Sequence, residues 1–209
     1  MTAFATSAPL GVAALPARGP LANRWVREIV LVVGAVAFLA AAAQVSFQAP
    51  FSTGRTGELV PITGQTFGVL LVAVTLGMRR GVSAVLGYLG IGLLGAPVYT
   101  AGGAGAGVLF SGATAGYLWG FVLAAAFVGW CADRGLDRGR WLYAVLLGGS
   151  VLIYAVGLPV LALWLGRHGL SISVFNAGLW PFIPGDFLKL MGAAFLVPAA
   201  WTAVERFRR

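Results

Sequence analysis

Asp186 and Lys189 stand three residues apart in Pro181-Phe182-Ile183-Pro184-Gly185-Asp186-Phe187-Leu188-Lys189, a stretch that opens a long apolar run. At helical spacing the two side chains share a face, and an acid in a first turn meets the positive end of the helix dipole. Two readings follow. Either a lysine snorkels to a membrane interface beside a helix-start acid, or the pair serves a molecule with both donors and an acid, roofed by Phe182 and Trp180. A second polar group is Pro61-Ile62-Thr63-Gly64-Gln65-Thr66-Phe67. Thr63 can cap a helix, whereas Gln65 and Thr66 fall in its first turn, where an amide in apolar surroundings requires a protein, water or ligand partner. Tyr99, Tyr117 and Trp119 flank a glycine-rich connection and suit either an aromatic belt or the walls of a pocket for an apolar ring.

Other chemistry is excluded by what the sequence lacks. His168 is the single histidine, so neither a His-Glu-x-x-His site nor a three-histidine zinc site can form. Cys131 is the single cysteine, and it sits beside Asp133 at the opposite end of the apolar frame from His168, which rules out a disulfide scaffold and a Cys/His dyad. No G-x-S-x-G elbow surrounds Ser111, and the glycines between 102 and 107 lack the Lys-Ser/Thr of a phosphate loop. The expectation is a protein that binds rather than reacts, with no cofactor and no metal.

The elements that position these residues follow from the composition. Of 209 residues 59% are hydrophobic and only 10% charged, and the mean hydropathy is +0.91. A soluble domain carries roughly 25% charge, so this chain is a membrane protein. A span needs about 20 apolar residues to cross about 30 Å of hydrocarbon. Six runs qualify, at about 29–47, 59–78, 82–96, 113–130, 141–166 and 187–204, giving an all-α bundle. The third and fourth are separated by Pro97 and the glycines of 101–107, and the fifth follows a charged turn at 133–140. The connection from Tyr99 to Phe110 has little to anchor it and is expected to lid the outer pocket. Residues 1–23, rich in Ala, Pro and Gly, read as a disordered tail before a membrane domain at 24–209.

Charge distribution orients the bundle. The net charge is +8, but the cations cluster between spans instead of forming a stripe, so nucleic acid is not the partner. Arg18, Arg24, Arg27, Arg79, Arg80, Arg134, Arg138, Arg140, Arg206, Arg208 and Arg209 share one face, against Arg55, Arg167 and Lys189 on the other. Cations mark the cytoplasmic side, so both termini are expected there.

Taken together, the motifs at 61–67, 95–99 (Gly-Ala-Pro-Val-Tyr), 116–120 (Gly-Tyr-Leu-Trp-Gly) and 181–189 resemble, in order and spacing, those of the BioY family, the biotin-binding S components of energy-coupling factor (ECF) transporters. The resemblance extends over 27–209 and departs at 111–117, where the family's usual proline is missing. It implies a six-helix bundle in the inner or plasma membrane of a prokaryote, with biotin held near the outer face. It also implies a partner complex of one membrane coupling (T) subunit and two cytosolic ATPase subunits. Thr63, Gln65, Thr66, Tyr99, Tyr117, Asp186 and Lys189 become the candidate ligand-binding residues. Asp186 could accept from the ureido N–H groups, Gln65 or Thr66 could complete the hydrogen bonds, Tyr99 or Tyr117 could pack on the ring, and Lys189 could offset the carboxylate or hold Asp186 ionised. Ala37 and Ala41, on a small-residue face of the first span, are the candidate docking residues for the partner. The alternative is a stand-alone secondary transporter or channel for a small organic acid, with Asp186 and Lys189 as an ion relay.

Overall fold

The computed structural model describes residues 9–14, 19–47 and 60–208. Arg18, Arg55 and Arg209 lie outside them. The described residues are mostly helical: α1 (Leu10–Ala14), α2 (Arg24–Gln44), α3 (Gln65–Leu93), α4 (Ala115–Asp133), α5 (Trp141–Arg167), α6 (Val174–Gly178) and α7 (Ile183–Arg208). Five helical stretches are long and apolar enough to cross a membrane. Two short strands, β1 (Ser46–Phe47) and β2 (Ile62–Thr63), pair antiparallel at the end of α2 and the start of α3.

The second and third expected spans are continuous in α3, but the helix is folded at Gly77 (φ 80°, ψ 177°). Only glycine tolerates that backbone without strain. The two limbs run back along each other. The Gln65 amide reaches the Tyr88 hydroxyl at 2.5 Å, although 23 residues of straight helix would separate them by about 35 Å. Asp133, at the end of α4, seals the turn by accepting from the Met78 N–H at 3.0 Å. Arg79 and Arg80, expected in an inter-span loop, are helical instead, because one positive-φ glycine reverses the chain without one. Arg80 then pairs through two nitrogens with Glu28 of α2, at 2.6 Å each.

Close backbone approach joins α4 to α5. Gly116 and Gly120 lie one turn apart on α4, and a Cβ on Gly120 would stand 2.9 Å from the backbone of Ile153. Helices that gain nothing by leaving lipid associate through such small-residue contacts. In contrast, α2 buries only Ala35, Leu39 and Ala43 and leaves Ala37 and Ala41 exposed.

Part of the expected tail lies within the described residues. Residues 10–14 are helical, and Leu10 is buried. Gly11 lies against Leu76 and Leu31, so apolar ground beside the Gly77 turn gives this short helix a seat that propensity alone would not.

Candidate functional site

At the end of the bundle opposite the Gly77 turn, a cavity of about 250 Å³ opens between α3, α4, α5, the start of α7 and the segment after α3. That volume lies just below the roughly 300–1,000 Å³ of ordinary small-molecule pockets and suits a compact ligand. Six of the seven candidate residues line it: Thr63, Gln65, Thr66, Tyr99, Tyr117 and Lys189. Val60, Leu118, Phe121, Ile153 and Phe182 supply apolar wall, while Trp180, expected in the roof, is exposed elsewhere.

Asp186 stands one layer behind that wall. One carboxylate oxygen accepts from Lys189 Nζ at 3.0 Å and from Thr66 Oγ1 at 3.4 Å, and the other accepts from the Tyr154 hydroxyl. Lys189 also donates to Thr66 Oγ1 at 3.0 Å. Among the described residues Lys189 is the one cation in the wall. These bonds occupy two of the three N–H donors of its ammonium, which leaves one for a ligand. A buried ammonium without a counter-charge would be costly, so Asp186 and Thr66 are what permit a lysine here.

Gln65 is likewise spent on protein partners. Its Oε1 accepts from Thr63 Oγ1 at 3.1 Å and Thr100 Oγ1 at 2.8 Å. Its Nε2 donates to Tyr88, whose hydroxyl lies 3.2 Å from the Val98 carbonyl. From α2, Gln44 Nε2 donates to the Val98 and Tyr99 carbonyls at 3.3 and 3.1 Å. Thus the segment 98–100, the root of the expected lid, is fastened from two helices. The rest of that connection is more ordered than its glycines suggest, with a 3-10 turn at Thr100–Gly102 and a π-type turn at Gly107–Ser111.

The aromatic walls are fixed by their hydroxyls. Tyr99 donates to the Leu89 carbonyl at 2.6 Å, and burial raises its phenol above the usual value, so it stays a neutral donor. Tyr117 donates to the Gly178 carbonyl at 2.9 Å and meets Tyr154 edge to face, with ring centroids 6.1 Å apart. Tyr154, Thr100 and Tyr88 are absent from the residues singled out in the sequence. Tyr154 lies within an otherwise apolar span, and the available signal was its phenol at mid-membrane depth, which requires a hydrogen-bond partner.

Taken chemically, the cavity offers one ammonium donor, tyrosine and threonine hydroxyls that can still accept, and an apolar floor. It suits a small, largely apolar molecule with an anionic or carbonyl oxygen at one place and hydrogen-bonding groups at another.

Comparison with known proteins points the same way. The family model described as "BioY family" matches residues 12–206. The biotin transporter BioY of Rhizobium etli is 37% identical over 145 residues, 66% of this chain and 75% of its own. That of Thermotoga maritima is 39% identical over 137 residues, 66% of this chain and 78% of its own. A probable biotin transporter BioY from Pyrococcus horikoshii is 34% identical over 170 residues, 81% and 93% of the two chains. Among solved structures, an S component for biotin from an ECF-type ABC transporter superposes with a TM-score of 0.69 over 84% of this chain and 90% of that one, at 22% identity.

Proposed function

The chain belongs to the BioY family, and we propose that it is the biotin-binding S component of an ECF transporter, taking up biotin through the cavity around Lys189. The observation that carries this reading is the site itself: a 250 Å³ cavity whose wall holds a single cation among tyrosines and threonines, in a chain related to named biotin transporters. Biotin has a ureido group with two N–H donors and one carbonyl, an apolar bicycle and a carboxylate. Lys189 takes an oxygen of the ligand, the hydroxyls of Thr66, Tyr117 and Tyr154 take the ureido N–H groups, and the rings of Tyr99 and Tyr117 flank the bicycle. Asp186 acts through Lys189: it holds the ammonium in place. Gln65 and Thr63 act through Thr100, by fixing the segment that carries Tyr99.

The two limbs of α3 are read as separate crossings, which with the other four long helices makes six and returns both termini to the cytoplasm of a prokaryotic cell. The antiparallel limbs on either side of Gly77 and the arginines gathered at the turn end support this topology. A membrane coupling subunit and two cytosolic ATPase subunits complete the transporter, with Ala37 and Ala41 on the open face of α2 as the docking surface. The sequence contains no phosphate-binding loop, so ATP energy reaches it through such partners.

Isothermal titration of the detergent-purified protein with biotin, biotin methyl ester and desthiobiotin tests the reading. Biotin binds tightly, and the ester, which keeps the ring and removes the carboxylate charge, loses affinity if Lys189 holds that end and keeps it if Lys189 holds the ureido oxygen. An absence of biotin binding by well-folded protein overturns the assignment. Uptake that persists under ATP depletion and collapses with the proton gradient would instead favour a stand-alone secondary transporter.

A further inference from the structure

Far from the cavity, at the end of the bundle that holds the Gly77 turn, three arginines lie on three tryptophans. The guanidinium carbons of Arg134 and Arg138 are 3.6 Å from the ring centroids of Trp130 and Trp201, and that of Arg140 is 5.3 Å from Trp141. The three pairs do different things. Trp201 is buried, and its indole donates to Asp137 Oδ2 at 2.8 Å, so the Arg138 pair clasps the α4–α5 turn onto α7. Trp130 and Trp141 are exposed at the last turn of α4 and the first turn of α5, with Arg134 and Arg140 exposed beside them.

Neither nearby acid forms an ion pair with those two arginines. Asp133 is committed to the Met78 N–H, and Asp137 is buried against Trp201 and Arg138. Among the described residues neither Arg134 nor Arg140 pairs with a carboxylate. Arg134 spends one N–H on the Trp130 carbonyl at 3.2 Å, and Arg140 lies within cation–π range of Trp141; the remaining guanidinium N–H donors keep a fork geometry that matches phosphate. Exposed indoles at helix ends belong at the level of lipid headgroups, which puts those donors at phosphate height.

We propose that the rim formed by Arg134 on Trp130 and Arg140 on Trp141 is a binding surface for anionic phospholipid headgroups. This rests on the reading that α4 and α5 span the bilayer. Charge complementarity selects the occupant: two exposed cations without a carboxylate partner, each beside an exposed indole of interfacial type, face the leaflet that the other arginines of this end also face. Each arginine near an anionic surface contributes about fivefold in affinity, so removing both lowers the preference on the order of tenfold or more.

The full chain, reconstituted in phosphatidylcholine vesicles carrying a small fraction of brominated phosphatidylglycerol or brominated phosphatidylcholine, provides the test, because bromine quenches adjacent tryptophan. The expected result is stronger quenching by the anionic lipid in the wild type. The preference is lost in Arg134→Gln with Arg140→Gln, which keeps every tryptophan, and is retained in Arg167→Gln at the other end. Equal quenching by the two lipids in the wild type overturns the proposal without reference to any variant. A double variant that keeps the lipid preference and loses assembly with partner subunits also overturns it, in favour of an acidic protein surface. Biotin binding by the double variant verifies its fold. Extraction of the wild type from vesicles by alkaline carbonate would sink the membrane-spanning reading itself, and the proposal with it.

Discussion

Two parts of the bundle are built differently. Helix α4 buries 12 of its 19 residues, and its glycines bring α5 to backbone contact, whereas α2 buries 3 of 21. Helix α7 resembles α2, presenting Phe187, Leu188, Phe195 and Leu196 outward. The cavity sits on the seam. Its floor, with Tyr117, Leu118, Phe121 and Ile153, belongs to the tight α4–α5 pair, whereas Lys189 rides on the loosely packed α7. A rigid floor and a lightly held wall give a site that keeps its shape for recognition yet can part to let a ligand pass. In such a site the polar bonds of Asp186 place the wall more firmly than packing does.

The largest effect on the isolated chain is expected where the tight pair is forced apart. Gly120→Leu puts a side chain where the Ile153 backbone stands and should destabilise by about 3 kcal/mol or more, seen as loss of the monodisperse peak in detergent chromatography and a fall in melting temperature. A well-folded variant would show that the seam is as loose as α7. Next comes Lys189→Met, which removes the wall's cation and leaves Asp186 without its counter-charge. Biotin affinity should fall on the order of a hundredfold, in line with about 1.5–3 kcal/mol for a hydrogen bond to a charged group. Unchanged titration would remove Lys189 from the site.

These two regions were not equally legible in the sequence. That α2, α4, α5 and α7 are long apolar helices follows from sequence runs of about 20 residues with few or no charges. The Gly77 fold was not legible. Arg79 and Arg80 read as a loop because charges usually lie between spans, whereas a single positive-φ glycine makes the reversal and lets both arginines stay helical. The cavity residues were legible as types, since a Gln, a Lys or an Asp in an apolar frame needs a partner. Their division of labour was not. Whether Asp186 faces the ligand depends on who already occupies its two oxygens, and Tyr154, 32 residues away, is one of those occupants.

The seam between floor and wall gives the intermediate effects. Asp186→Asn keeps the size of the side chain but weakens its hold on Lys189. Biotin affinity should fall about tenfold, less than for Lys189→Met, if Asp186 positions the lysine; an equal or larger loss would put the carboxylate on the ligand itself. Tyr154→Phe deletes one donor to Asp186 and should cost about 1 kcal/mol, roughly fivefold in affinity, with little change in melting. The pair of variants forms a cycle. Because both act through the same carboxylate, their losses should be less than additive, and strict additivity would separate Tyr154 from Asp186.

The smallest effect on the isolated chain is expected on the face of α2 that touches nothing. Ala35, Leu39 and Ala43 are the buried residues of this helix, so Ala37 and Ala41 project away from the rest of the bundle. Enlarging both, as Ala37→Trp with Ala41→Trp, meets lipid or detergent alone, and stability should change by no more than about 0.5 kcal/mol, with biotin affinity unaltered. Small residues matter only where a second helix must come close, and there two indoles would hold the backbones several ångströms apart. The double variant should therefore bind biotin normally and fail to co-purify with the membrane coupling subunit proposed as its partner. Retained assembly would move the docking surface to another helix. A fall in melting comparable to Gly120→Leu would mean that α2 is packed as tightly as α4, and the contrast between the two regions would be lost.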